Sequence, residues 1–105
     1  MRLSAKTEYA AIAVLELARN WGSEEPVRIR SIAAAHGVPS RFLVQILLQL
    51  KGAGMVTSTR GAAGGYQLAR SPEELTLEDV YRVIEGPEEL VTAVTADLAG
   101  RSRSV

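Results

Sequence analysis

The sequence predicts a mainly α-helical domain that carries one small β-hairpin. Two short segments with helical apolar spacing, 29–36 and 39–51, are separated by only two or three residues, which is typical of helices joined by a tight turn. Two strand-like runs, 55–59 and 65–69, follow directly and enclose a glycine-rich segment. A helix pair followed by a hairpin is the order of a winged helix-turn-helix domain.

The first helix is expected from about Ser4 to Asn20. Ser4 is a suitable amino-terminal cap, and Gly22 favours an end close behind the helix. The buried face is predicted from apolar residues at helical spacing, widened by two neighbours: Ala10, Ala13, Val14, Leu17, Ala18 and Trp21, with Ile12 and Leu15.

The second helix is expected over residues 29–36. Ile29, Ile32 and Ala33 follow helical spacing, and Gly37 stands where a left-handed residue would end the helix. Arg28 breaks one local rule, because its side chain cannot cap a helix start as serine or threonine does.

The third helix begins at Pro39 or Ser40, either with the proline as the first helical residue or with the serine as the cap. Its buried stripe is predicted to contain Phe42, Leu43, Ile46, Leu47 and Leu50. Its outer face is predicted to contain Arg41, Val44, Gln45, Leu48 and Gln49. An outward face of this kind on the second helix of the pair is typical of a recognition helix.

The hairpin and the elements after it have clear local signals. Val56 and Leu68 should face the core while Thr57 and Gln67 face outward, because strand residues alternate. A fourth helix should start at a capping box formed by Thr76 and Asp79 and stop at Gly86-Pro87. A weaker fifth helix is predicted over residues 88–98. We therefore divide the chain into a winged-helix domain, 1–86, and a short helix and tail, 87–105, that could serve dimerisation.

The charges are distributed unevenly although the formal net charge is zero. Residues 1–70 contain nine Lys and Arg against four Asp and Glu, whereas residues 71–105 contain three against eight. A basic half beside an acidic remainder suggests that the basic half faces nucleic acid. The absence of cysteine excludes disulfides and thiolate metal sites in this chain. Without a signal-peptide pattern or a membrane-length apolar run, we expect a cytoplasmic protein with no membrane contact.

An enzyme is one alternative function. The glycines at 61, 64 and 65 are typical of a phosphate-binding loop, but no Gly-Lys-Ser/Thr follows and the segment joins two strands. The single histidine, His36, is interpreted as structural or as a partner of the helix dipole. No nucleophile–base pair or metal-ligand set is recognised, so we predict no enzyme activity and no cofactor.

Several ordered motifs resemble those of a known family. They are Met1-Arg2-Leu3-Ser4, Val38-Pro39-Ser40-Arg41-Phe42-Leu43, Ala53-Gly54-Met55-Val56, Arg60-Gly61-Ala62-Ala63-Gly64-Gly65-Tyr66, and Thr76-Leu77 leading to Glu85-Gly86-Pro87. Together they are similar to the Rrf-two (Rrf2, IscR-type) family of bacterial winged helix-turn-helix transcription regulators, over roughly residues 1–87.

The resemblance implies a homodimer that binds double-stranded DNA, with residues 39–51 as recognition helix and 55–69 as wing. Family members that sense iron, nitric oxide or redox state carry cysteines after the Glu-Gly-Pro turn. This chain has none, so no iron–sulfur cluster is expected. Many members continue into a long dimerisation helix, whereas only about 18 residues follow Pro87 here. We interpret the chain as a sequence-specific regulator, acting as a repressor.

The recognition helix supplies the predicted base contacts. Ser40 is assigned to the DNA backbone, and Arg41 to a phosphate or a guanine. Gln45, one turn on, suits adenine. Val44 and Leu48 are interpreted as contacts to thymine methyl groups, the alternative being that they pack against another protein element.

The wing supplies the predicted minor-groove contact. Arg60 is assigned to a narrow, A·T-rich minor groove, the alternative being a solvated arginine on an ordinary hairpin. Gly61 and Gly64 would let backbone amides approach phosphate. Further phosphate contacts are predicted for three basic residues near the helix starts: Lys6, Arg28 and Arg30.

A winged helix that binds a protein and no DNA is the second alternative function. The apolar outer residues of the third helix and the short segment after Pro87 favour it. The basic half of the chain and Arg60 count against it. Salt-sensitive DNA affinity would discriminate the two, because phosphate contacts release counterions.

Overall fold

The computed structural model describes residues 4–86. Within that range it contains four α-helices, one antiparallel hairpin and one 3-10 turn, which confirms the predicted fold class. The elements are α1 (Ala5–Arg19), α2 (Ile29–His36), α3 (Ser40–Gly52), β1 (Val56–Thr59), β2 (Gly65–Leu68), the 3-10 turn (Pro72–Glu74) and α4 (Leu77–Glu85). The predicted fifth helix, 88–98, lies outside the described residues, and the division of the chain at residue 86 stays a prediction.

Local signals in the sequence fix most helix ends. The hydroxyl of Ser4 accepts the amide of Thr7 at 3.1 Å and caps α1. Thr76 and Asp79 form both bonds of the predicted capping box, each 3.1 Å long. Gly37 ends α2 with a φ of 66°, a left-handed conformation that suits glycine. These three predictions are confirmed. The buried face predicted for α1 is wrong at Leu15 and Trp21, whose side chains are 62% and 49% exposed.

Helix α3 begins at Ser40, one of the two predicted start residues, but the roles predicted for the proline and the serine are both wrong. Pro39 is the cap residue, with φ −60° and ψ 132°, and Ser40 is the first helical residue. The carbonyl of Pro39 accepts the amides of Phe42 and Leu43 at 3.1 and 3.4 Å, which is the role of a cap backbone. This helix start has no side-chain cap, because proline cannot supply one and Ser40 lies one residue inside the helix.

Helix α3 forms the centre of the core. Its residues Leu43, Ile46, Leu47 and Leu50 are at most 1% exposed. Ala10, Ala13 and Leu17 of α1, Ile32 of α2, Val56 and Leu68 of the hairpin, and Val80 and Ile84 of α4 complete one continuous buried cluster. Burial of each large aliphatic side chain contributes about 1.5–3 kcal/mol before the entropic costs of folding. The inner face of α3 is therefore held rigidly.

Phe42 was predicted to belong to this buried stripe, and that prediction is wrong. Its side chain is 38% exposed at the rim of the core. Its ring centroid lies 5.8 Å from that of Tyr9 and 5.0 Å from the guanidinium carbon of Arg41. The four aliphatic residues of α3 already fill the space between α1 and α4, so a fifth large side chain falls one helical step outside it.

The hairpin has the predicted alternation. Val56 pairs with Leu68 and both are buried, whereas Thr57 is exposed opposite the half-buried Gln67. A contact that was not predicted joins Val27, just before α2, to Tyr66 of β2. Each of these two residues donates its amide to the carbonyl of the other at 2.8 Å. Val27 thus adds a third, one-residue strand to the hairpin and ties it to the start of α2.

This added bridge explains the glycine at position 65. A Cβ atom on Gly65 would lie 2.4 Å from the carbonyl oxygen of Val27 and 2.6 Å from its carbonyl carbon. Since these are backbone atoms held in the bridge, no side-chain rotation can relieve the overlap. The close approach of the two chain segments therefore requires glycine.

Candidate nucleic-acid interface

The outer face of α3 is open to solvent except at Gln49, which was predicted to lie on it and is half-buried. Ser40, Arg41, Val44, Gln45 and Leu48 are all exposed, and their spacing places them on one side of the helix. Val44 is 43% and Leu48 56% exposed, so neither packs against another element within residues 4–86. The structure brings together all five residues that were predicted to read DNA from this helix.

Phe42 gives the arginine of this face a support that the sequence analysis missed. The guanidinium of Arg41 lies over the Phe42 ring at 5.0 Å, a cation–π distance, and Tyr9 packs against the same ring. An arginine held this way has less side-chain entropy to lose when it binds a partner. A signal was available: an aromatic residue beside an arginine, next to a stripe that four aliphatic residues already completed.

The wing tip is shaped by its glycines. Arg60 is exposed, and Gly61 has a φ of 105°, a backbone conformation that favours glycine. The amide of Gly64 donates to the carbonyl of Gly61 at 3.0 Å, and a Cβ on Gly64 would lie 2.2 Å from the carbonyl oxygen of Thr59. Gly64 thus has a structural role in closing the turn, and its amide is engaged within the wing. Phosphate contact by either glycine stays a prediction.

A cleft of about 370 Å³ lies between the start of α2, the end of α3 and the part of the wing next to its tip. Three cationic residues, Arg28, Lys51 and Arg60, line it. The other lining residues are uncharged: Ile29, Ser58, Thr59, Gly64, Gly65 and Tyr66. Lys51 was not predicted as a site residue, because a lysine in a last helical turn is explained equally well by the helix dipole. We call this surface the wing cleft.

The remaining predicted phosphate contacts lie apart from the wing cleft. Lys6 is half-buried on the first turn of α1, where its charge acts on Glu85 at the end of α4. Glu85 Oε1 accepts hydrogen bonds from the hydroxyl of Ser4 and, at 2.7 Å, from that of Thr7. These two bonds, and then the charge of Lys6, hold the pKa of the Glu85 carboxyl below its usual range. Arg30 is exposed in the first turn of α2.

His36 has a structural partner. Its Nε2 atom lies 2.9 Å from Oε1 of Glu16, which also accepts from Arg19 at 3.0 Å. The hydrogen bond with His36, followed by the charge of Arg19, lowers the pKa of Glu16. The pair joins the end of α2 to α1, in agreement with a structural interpretation of this histidine.

A helix pair with a rigidly held second helix, followed by a hairpin whose base lies beside that helix, defines a winged helix-turn-helix domain. The chain matches the model of the Rrf2 family, described as an iron-dependent transcriptional regulator, over residues 3–103. The chain belongs to this family of transcriptional regulators.

Two curated relatives align with most of this chain. Rv1287 of Mycobacterium tuberculosis, whose name places it among helix-turn-helix transcriptional regulators, is 47% identical over 87 residues, which are 83% of this chain and 53% of that protein. The helix-turn-helix transcriptional regulator CymR of Bacillus subtilis is 40% identical over 83% of this chain and 62% of its own length. This chain thus spans between half and two thirds of these curated relatives.

Solved structures agree with the fold. The structure of CymR, the global cysteine regulator of B. subtilis, matches with a TM-score of 0.78 and 39% identity, over 83% of this chain and 67% of that one. IscR of T. potens matches with a TM-score of 0.76 and 35% identity, over 93% of this chain and 77% of that one. No helix within residues 4–86 is long and apolar enough to cross a membrane.

The family description raises the question of iron. The chain contains no cysteine, so it supplies no thiolate for an iron–sulfur cluster. Among residues 4–86, no three side chains of histidine, aspartate or glutamate lie together in a way that could hold a metal ion. The donor set of this chain does not fit an iron–sulfur cluster.

Proposed function

We propose that this chain binds double-stranded DNA as a sequence-specific transcriptional regulator, with α3 in the major groove and the wing in the adjacent minor groove. The observation that carries the proposal is the outer face of α3. It presents hydrogen-bonding and apolar side chains to solvent on a helix whose opposite face is at most 1% exposed. A helix of this diameter fits the major groove, where base edges differ in donors, acceptors and methyl groups.

Each residue of α3 has a chemical role in this proposal. Ser40 lies in the first turn, where uncapped backbone amides favour a phosphate. Arg41, supported by the ring of Phe42, donates to a guanine or a phosphate. Gln45 pairs with an adenine, and Val44 and Leu48 contact thymine methyl groups.

The wing supplies a second contact. Arg60 extends from the hairpin into a narrow minor groove, whose negative potential is strongest in A·T-rich sequence. Gly61 allows the backbone at the tip to turn toward the DNA, since its φ of 105° is open to glycine. The wing thereby adds a preference for A·T pairs beside the sequence read by α3.

A homodimer completes the proposal. Two copies would place two α3 helices in successive major grooves, so the operator would be an imperfect palindrome with half-sites about one helical turn or a multiple of it apart. The regulator would act in the cytoplasm, as a repressor, with no enzyme activity and no iron–sulfur cluster. The lack of thiolate ligands in the sequence supports the last point.

The test begins with selection of bound sequences from a random duplex pool. We expect a palindrome, and an affinity for it that falls steeply with salt, since phosphate contacts release counterions. Arg60→Ala should weaken binding on the order of tenfold, the effect of losing a charged hydrogen-bond donor. Arg82→Ala is the matched control, because Arg82 pairs with Glu78 at 2.9 Å on α4 and belongs to neither α3 nor the wing. No enriched sequence and no binding at low salt would refute the proposal.

Exposed Val44 and Leu48 favour one competing function, a winged helix that binds another protein. Replacing thymine by deoxyuracil in the selected duplex removes single methyl groups and tests whether these side chains contact DNA. If the methyl contacts exist, Leu48→Ala should weaken binding on the thymine duplex about fourfold per half-site, and so about 15-fold for the dimer, at roughly 0.8 kcal/mol per buried methyl. The same substitution should have no effect on the duplex with deoxyuracil at the contacted position. Equal losses on both duplexes would refute the thymine contact.

A further inference from the structure

The wing cleft has the electrostatic character of an anion site. Arg28, Lys51 and Arg60 line it, and no carboxylate of residues 4–86 does. Within residues 4–86, none of the three forms a salt bridge. Cations grouped around one cleft repel one another, which is electrostatically unfavourable. An anion bound between them adds attractive interactions that outweigh this repulsion. Ser58 and Thr59 add hydroxyl donors to the same cleft.

The position of the wing cleft identifies the anion. One wall comes from the end of the proposed reading helix and another from the part of the wing next to its tip. When a helix occupies a major groove and a wing the neighbouring minor groove, the sugar–phosphate strand that separates the two grooves passes between them. The protein surface that faces this strand is the seam between helix and wing, which is where the wing cleft lies.

We propose that Arg28 and Lys51 jointly hold one phosphate of the DNA strand that separates the two grooves. The inference rests on the proposed function and assigns it a site that includes Lys51. Arg60 strengthens the positive potential of the wing cleft while its side chain enters the minor groove. Because one side chain precedes α2 and the other ends α3, their shared phosphate fixes the register of both helices on the duplex.

The single shared phosphate makes a quantitative prediction. Binding releases about 0.9 counterion per neutralised phosphate, so Arg28→Gln combined with Lys51→Gln should lower the slope of log Kd against log salt by about 0.9 per protomer. For a dimer the loss is about 1.8, so the wild type should lose about twelvefold more affinity than the double variant between 50 and 200 mM salt. If the two residues held two separate phosphates, the slope would fall by about 3.6 per dimer.

The experiment measures fluorescence anisotropy of a labelled duplex obtained by the selection, with wild type, both single variants and the double variant. Arg82→Gln is the control for the loss of an exposed cation outside the wing cleft. A series of duplexes, each with one neutral methylphosphonate, then locates the contact. On a duplex whose contacted phosphate is already neutral, neither substitution should weaken binding further. We therefore expect the affinities of Arg28→Gln and Lys51→Gln to equal that of the wild type when the methylphosphonate stands at one position of each half-site, the same for both variants. The thermal unfolding of every variant is followed in parallel, which identifies any loss of affinity caused by unfolding.

The outcomes separate this inference from the proposed function. A wild type that binds no duplex overturns both. If the wild type binds and the double variant has the same salt slope, only the phosphate site is overturned. The same holds if the two single variants match the wild type at different methylphosphonate positions. Inorganic phosphate, compared with chloride at equal ionic strength, distinguishes a site for free phosphate. Suppose that inorganic phosphate displaces DNA from the wild type and not from Lys51→Gln, and that no methylphosphonate makes the affinities of the variants and the wild type equal. The assignment to the DNA strand is then overturned.

Discussion

Gly65→Ala should destabilise the domain because the backbone of Val27 occupies the place of the new methyl group. The added Cβ would lie 2.4 Å from the Val27 carbonyl oxygen and 2.6 Å from the carbonyl carbon, about 1 Å inside ordinary contact. Moving the two segments apart breaks both 2.8 Å hydrogen bonds between Val27 and Tyr66. Those bonds contribute about 1 kcal/mol each. Residual overpacking costs about 1 kcal/mol more.

The loss of unfolded-state entropy on replacing glycine offsets about 0.4–1 kcal/mol of this cost. The net destabilisation is therefore on the order of 2 kcal/mol, which lowers Tm by roughly 10 °C for a domain of this size. The assay is thermal unfolding followed by circular dichroism at one fixed protein concentration, because dimerisation would make Tm depend on concentration.

Gly52→Ala is the matched control for Gly65→Ala. Gly52 is the last residue of α3, and a Cβ there meets no atom within 4 Å. The control should be as stable as the wild type or up to about 1 kcal/mol more stable, since alanine is the better helix former. If the Tm of Gly65→Ala lies within about two degrees of that of Gly52→Ala, the Val27–Tyr66 bridge moves aside at no energetic cost and the steric reasoning is wrong.

Two further substitutions test the helix termini. Glu85→Gln should cost about 1 kcal/mol at neutral pH, because the charged acceptor of the Ser4 and Thr7 hydroxyls is lost. Since the folded pKa of Glu85 is lowered, this stability is present above the unfolded pKa, near 4.5, and is lost as the pH falls through the folded value. The difference in free energy of unfolding between variant and wild type, measured with urea, should therefore disappear in that pH window. A difference independent of pH would contradict the role of the charge. Thr76→Ala should cost about 1 kcal/mol in the same assay through the lost cap of α4, and an unchanged midpoint would contradict it.

Helix limits and the alternation of the hairpin could be predicted because their causes are local. Ser4, Gly37 and the pair Thr76–Asp79 act on backbone groups within a few residues of themselves. Strand alternation likewise follows from the geometry of one chain segment. The outer face of α3 was predictable for the same reason, since the helical period alone separates it from the buried face.

Contacts between distant segments could not be predicted in this way. The Val27–Tyr66 bridge joins residues 39 positions apart, and no local pattern distinguishes Val27 from a loop residue. Phe42 was misplaced because apolar character does not reveal how much space the core has left. The charge of Lys51 fits a helix end equally well, and only the approach of the wing shows its position beside Arg28 and Arg60.

The wing is attached to the helix pair at two points, and this bears on DNA binding. At one point Met55, 2% exposed, donates its amide to Leu50 of α3 at 2.9 Å and accepts that of Ala69 at 3.0 Å. At the other, Val27 bridges to Tyr66 immediately before Arg28. A wing fixed at both points keeps its orientation relative to α3 before DNA arrives, so little ordering entropy opposes binding. The same two attachments set the width of the wing cleft, so the rigidity of the fold and the placement of its cations have one structural cause.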